Sequence, residues 1–123
     1  MNHRRLDHVA LLVEDLDVSV SYYRDVLGLA EIERPAFDFP GAWFRLGTDQ
    51  ELHLIVGSAE EAQVRSGANH FALLVDDIDE AQGTLEGRGA VVLQRQTRPD
   101  GAHQIYLEDP TGHTIEVCTA PHR

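Results

Sequence analysis

The sequence is poor in the residues that build covalent or membrane-spanning architectures. Among 123 residues it has one cysteine, Cys118, so an intrachain disulfide framework is excluded and a reducing compartment fits. It lacks any long hydrophobic run. After the basic Arg4 and Arg5 the apolar stretch extends only from Val9 to Val13, too short for a signal-peptide core and far too short to span a bilayer. A cytoplasmic location is the expectation. Basic residues are also scarce, 10 against 21 acidic ones, for a formal charge of −11. A surface of that sign repels phosphate backbones and anionic membranes, so neither nucleic acid nor membrane is an expected partner.

What remains is an ordinary globular composition, 42% hydrophobic and long enough for one domain. That domain is expected to cover residues 1–123. Inside it the chain repeats itself. HVALLVEDLD begins at His8 and HFALLVDDID at His70, with seven of ten positions identical at an offset of 62. Each segment reads as a strand running into an acidic turn that feeds a helix. The first helix is expected to be capped by Asp17 and to carry Val20, Tyr23 and Leu27 on one face, with Gly28 just past its end. The second is expected to be capped by Asp77 and to carry Ile78, Ala81 and Leu85, closing at Gly87 or Gly89. Gly83 sits inside it at a cost of about 1 kcal/mol relative to alanine.

Three strand-like runs follow each helix. They are residues 30–34, 42–47 and 51–56 in the first half, and 90–96, 103–108 and 113–118 in the second. Pro40-Gly41 and Pro99-Asp100-Gly101 mark turns, and Asp109-Pro110-Thr111-Gly112 has the residues a type I turn prefers. Residues 57–69 read as a polar connection. The expected fold is α+β: two tandem βαβββ modules, one over about residues 5–57 and one over about 68–119, forming a curved mixed sheet around a metal cleft.

Side chains on a strand alternate between faces. If Val9, Leu11 and Val13 pack on the helix, His8 points the other way. The same rule sets His53 opposite Leu52 and Leu54, His70 opposite Phe71 and Leu73, and Glu116 opposite Ile115 and Val117. One face then gathers His8, His53, His70 and Glu116. His8 and His70 are equivalent in the repeat, as are His53 and Glu116. Three imidazoles and a carboxylate suit one divalent transition metal: iron, nickel, cobalt, manganese or zinc. Glu51 shares the face of His53. Cys118 lies beside Glu116 and reads as a small buried filler.

The motifs at residues 6–29, 51–56, 69–75 and 106–118 together resemble the vicinal-oxygen-chelate superfamily, whose members include glyoxalase I, extradiol dioxygenases, fosfomycin-modifying enzymes and bleomycin-binding proteins. Residues 34–47 look most like its small glyoxalase I-like members. The resemblance implies that His8, His70 and Glu116 are metal ligands. His53 falls where glyoxalase I usually carries a second carboxylate or an amide, which leaves Glu116 as both ligand and catalytic base. Glu51 would take that second place only if the strand register differed.

The implied activity is that of a metal-dependent lyase or isomerase acting on a small oxygenated substrate, resembling lactoylglutathione lyase, with oxyanion or enediolate charge stabilised by the metal. Expected substrate contacts are Trp43 and Arg45, and Gln104 and Tyr106 as their repeat equivalents. An iron-dependent extradiol-type dioxygenase and a drug-binding protein of the bleomycin-resistance type are the alternatives. A homodimer is expected, since in many relatives the two halves exchange between chains.

Overall fold

A computed structural model describes residues 1–63 and 66–122, and the strand-like runs of the sequence form two four-stranded mixed sheets within it. The chain divides into two compact units, residues 1–64 and residues 65–123. The fold is α+β, one βαβββ module in each unit.

In the first unit, β1 (His8–Val13) runs into α1 (Leu16–Ser21). The helix is capped by Asp15, whose side chain accepts from the Val18 amide, so the cap falls two residues before the expected Asp17. Asp17 lies in the first turn, where a carboxylate favours the helix dipole. The helix then widens into a π-helical turn, Tyr22–Val26, and Gly28 ends it at φ 75°, a conformation that favours glycine. The expected strand 30–34 shrinks to β2 (Glu31–Ile32), ahead of Pro35, which has no N–H to donate. β3 (Gly41–Leu46) and β4 (Gln50–Val56) complete a sheet ordered β1-β4-β3-β2, with β1 parallel to β4.

Alternation along β3 and β4 divides the sheet into two faces. Ala42, Phe44, Leu46, Leu52 and Leu54 are buried together with Val13 and with Tyr23 from the π-helical turn. The rings of Tyr23 and Phe44 lie 6.1 Å apart. Each fully buried large side chain here contributes about 1.5–3 kcal/mol of burial. Trp43, Arg45, Glu51 and His53 project from the other face.

The connection contains one short helix, α2 (Ala59–Ala62), where the sequence suggested none. Ser58 and Glu61 close a capping box at its start.

The second unit repeats the plan. β5 (His70–Leu74) leads to α3 (Ile78–Gly87), capped by Asp77 as expected. Gly83 is exposed inside it and Gly89, at φ 94°, lies just beyond. β6 covers Gln94–Thr97, less than the expected 90–96 at its start and one residue more at its end. β7 (His103–Glu108) and β8 (Thr114–Cys118) finish a sheet ordered β5-β8-β7-β6. Ile78 and Leu85 of the helix are buried with Ile105, Leu107, Ile115 and Val117. At the β7–β8 turn, Asp109 Oδ1 accepts from the amides of Thr111, Gly112 and His113.

Register fixes the equivalences. Ala10 pairs with His53 and Ala72 with Glu116, so those two side chains occupy the same place in the two units. Trp43 pairs with His53 and Tyr106 with Glu116, which makes Tyr106 the counterpart of Trp43. The expected match of Trp43 to Gln104 and Arg45 to Tyr106 is therefore displaced by two residues. Gly41 corresponds to Gln104 and Arg45 to Glu108, through their partners on β4 and β8.

Candidate metal centre

Each unit brings two of the expected donors side by side, because its first strand pairs with its last. In the second unit His70 Nε2 lies 3.0 Å from Glu116 Oε1. His70 Nδ1 lies 3.0 Å from the carbonyl of Gly67, which only accepts, so Nδ1 carries the proton. Nε2 then has a lone pair facing a carboxylate oxygen. Two acceptors at that distance repel unless a cation, either a proton or a metal ion, sits between them. A histidine whose far nitrogen is tied to a carbonyl is also the arrangement that orients metal ligands. Two donors each about 2.1 Å from a shared metal lie about 3 Å apart when they are neighbours in its coordination sphere. The pair fits a divalent ion by chemistry and by spacing.

Glu116 is 4% exposed, and Gln104 Nε2 donates to its Oε2 at 3.0 Å. Burial pushes its carboxyl pKa up, but hydrogen bonds from Gln104 and Tyr106, the neighbouring His70 and a bond from Cys118 together hold it below the ordinary value. The group is an anion at neutral pH, which suits a ligand and weakens it as a base. Burial and the neighbouring Glu116 push Tyr106 and Cys118 the other way, so both keep their protons. Gln104 itself is fixed by Gln96, whose Nε2 donates to its Oε1 at 2.9 Å.

In the first unit His8 Nδ1 donates to Asp7 Oδ2 at 2.9 Å, leaving Nε2 as the lone-pair nitrogen. That bond is the largest cause of the lowered Asp7 pKa. His53 is held differently. Its Nε2 donates to Glu51 Oε1 at 2.9 Å, and its ring is stacked between His8 at 4.2 Å and Trp43 at 3.9 Å. Its lone-pair nitrogen is therefore Nδ1. Glu51 also lies 3.5 Å from Arg45 Nη1. Glu51 was expected to stand as the second carboxylate only if the register differed, and it does not: β1 pairs His8 with Glu51 and Ala10 with His53, so His53 remains the counterpart of Glu116. Glu51 is tied to that position through its hydrogen bond to His53.

Among the described residues no three His, Cys, Asp or Glu side chains are gathered so as to hold a metal ion. The four expected ligands come as two pairs, one per unit. Of the expected substrate contacts, Tyr106 lines a cleft of about 390 Å³ with His70, Gln94 and Gln96. Gln104 is 7% exposed and serves Glu116, Arg45 is engaged by Glu51, and Trp43 stacks on His53. Sequence reasoning missed the tethers on Asp7 and Gly67, although both lie within three residues of the histidines they fix. No helix among the described residues is long and apolar enough to cross a membrane.

The sequence model of the Glyoxalase/Bleomycin resistance protein/Dioxygenase superfamily matches residues 5–117. Lactoylglutathione lyase of Salmonella typhimurium is 30% identical over 125 residues, covering 94% of this chain and 93% of that protein. Metallothiol transferase FosB of Bacillus licheniformis is 27% identical over 121 residues, 93% of this chain and 74% of that one. Among solved structures, a lactoylglutathione lyase from Agrobacterium tumefaciens superposes with a TM-score of 0.76 at 26% identity, covering 97% of this chain and 96% of its own.

Proposed function

From the premise that the chain belongs to the Glyoxalase/Bleomycin resistance protein/Dioxygenase superfamily, we propose that it is a divalent-metal-dependent lyase or isomerase acting, as a homodimer, on a small oxygenated substrate. The observation that carries this reading is the His70–Glu116 pair, a lone-pair nitrogen set against a carboxylate oxygen. His8, His70 and Glu116 are the proposed ligands, and the fourth comes from His53 or its hydrogen-bond partner Glu51. Iron, nickel, cobalt, manganese and zinc all suit such donors. The metal, when bound, supplies Lewis-acid stabilisation of negative charge developing on a substrate oxygen.

The chain's own groups do the rest. Gln104 keeps one Glu116 oxygen occupied and turns the other toward His70. Asp7 and Gly67 hold the two imidazoles in the tautomer with a lone pair on Nε2. Tyr106 stays protonated at the edge of the cleft and donates to Glu116. Glu116 is the proposed proton acceptor, and Glu51 is the second carboxylate available to move a proton from carbon next to a carbonyl. Glu51, hydrogen-bonded to His53, is the carboxylate this proposal offers where His53 itself stands in the position of an acid.

Metal analysis of untagged protein by mass spectrometry tests the reading. About one transition metal per chain is expected, lost in His8→Ala and in His70→Ala. Wild-type protein that takes up none of the five metals on reconstitution would overturn it.

A further inference from the structure

Loop residues 33–40 present two aromatic rings to solvent. Phe37 is 47% exposed and Phe39 41%. They stack on each other at 5.1 Å with planes 26° apart. The guanidinium of Arg34 lies over both, 4.9 Å from the Phe37 centroid and 4.8 Å from that of Phe39. Arg5, Arg24, Arg45, Arg95 and Arg98 lie beside carboxylates. Arg34 has no carboxylate partner among the described residues; its Nη2 donates to the Phe39 carbonyl at 2.9 Å. Gly41 makes room for it, since a Cβ there would meet Arg34 Nη2 at 3.0 Å and the Leu54 carbonyl at 2.5 Å. Pro35 and Pro40 flank the segment and limit its backbone freedom. The two rings are thus held out rather than left loose.

The ledge continues into the candidate site. Phe37 lies 6.1 Å from Trp43, Trp43 stacks on His53 at 3.9 Å, and His53 on His8 at 4.2 Å. A run of ring faces therefore leads from solvent to two of the proposed donors, all within the first unit.

We propose that Phe37 and Phe39, held by Arg34, form a subsite for an aromatic ring, so that the substrate is a small compound with neighbouring oxygens and an aromatic substituent. The inference rests on the small oxygenated substrate proposed above. Size separates a ring from a protein partner. A phenylalanine offers roughly 150–250 Å², so two rings less than half exposed offer about 200 Å² in all. That matches one face of a single-ring ligand, and is well below the roughly 800 Å² per partner of a stable protein interface. A preordered ledge also spares the ligand the cost of ordering the loop.

Trp43 is the only tryptophan, so its fluorescence reports on the neighbourhood directly. Metal-free protein is titrated with phenylethylene glycol and with propylene glycol, which share two adjacent oxygens and differ by phenyl against methyl. The aromatic glycol is expected to half-saturate the Trp43 signal at about tenfold lower concentration. That ratio should fall to near one in Phe37→Ala/Phe39→Ala, whose fold is checked by circular dichroism. Should that pair fail to fold, Phe39→Leu keeps the apolar bulk, removes one ring, and should cut the ratio at least threefold by roughly the same logic. Equal half-saturation by both glycols in the wild type, or a ratio that survives loss of the rings, overturns the subsite. A drop in molecular mass of the variant with the ratio unchanged overturns it in favour of an interface between chains. Because the titration needs no metal, its failure is distinct from a failure of the metal analysis.

Discussion

His53 lies flat on Trp43, with ring centroids 3.9 Å apart and planes 4° from parallel. On its other side it stacks on His8 at 4.2 Å. An imidazole held between two rings, with Nε2 committed to Glu51, has its orientation fixed before any ligand arrives.

Replacing it separates stacking from coordination. His53→Ala removes two stacked pairs and is expected to lower stability by about 2 kcal/mol in urea denaturation. His53→Phe keeps the stack without a donor nitrogen and should lose about half of that or less. Metal retained by His53→Phe and lost in Glu51→Gln would name Glu51 as the fourth ligand. The reverse pattern would name His53.

Gln104 is expected to act through Glu116. Gln104→Leu removes the donor to Oε2 and should weaken metal affinity roughly 10- to 100-fold, the usual effect of a partner behind a ligand. Calorimetric titration of the metal measures it. Unchanged affinity would mean that Glu116 needs no such support.

Acid stability carries a signature of Glu116. Its folded pKa lies below its unfolded one, so its ionised form stabilises the fold above about pH 4.5, the ordinary glutamate value, and that contribution disappears as pH falls through the folded value. Urea melts from neutral to acid pH should show a shallower loss for Glu116→Gln than for wild type. Parallel curves would show that the carboxylate is not perturbed in the folded chain.

Asp109 holds the β7–β8 turn with one oxygen shared among three amides. Asp109→Ala is expected to cost about 2 kcal/mol, because three partly buried amides lose a charged acceptor. Thermal unfolding checks this, and Asp109→Asn, which keeps an oxygen at that place, should recover most of the loss.

Much of this architecture is written in the order of residues. The internal repeat and strand alternation place His8, His53, His70 and Glu116 correctly on their strands, because period-two side-chain direction is geometric and owes little to context. The same repeat holds information that helix periodicity obscured. The offset of 62 that joins His8 to His70 also joins Asp15 to Asp77, and Asp15 is the true cap. Two acids in EDLD compete for that role, and the extended backbone at Asp15 decides between them.

The substrate-facing equivalences were less legible. Trp43 corresponds to Tyr106 only through pairing with β4 and β8, and a slip of two residues preserves the face while changing every partner. Which nitrogen of each imidazole is free is also beyond a sequence pattern, since it depends on Asp7, Gly67 and Glu51 reaching particular ring atoms.

Each donor pair depends on a parallel pairing between the first and last strands of its unit, His8 beside Glu51 and His70 beside Thr114. The β3–β4 and β7–β8 hairpins close over short turns, whereas the parallel pairings must wait until nearly a whole module has been assembled, and distant closures are the slow ones. In refolding, Trp43 should sense His53 early, as hairpin neighbours, while metal uptake lags behind. A chain emerging part-made therefore holds His70 away from Glu116 until its last strand docks, so an ion that needs both finds no site before the fold is complete.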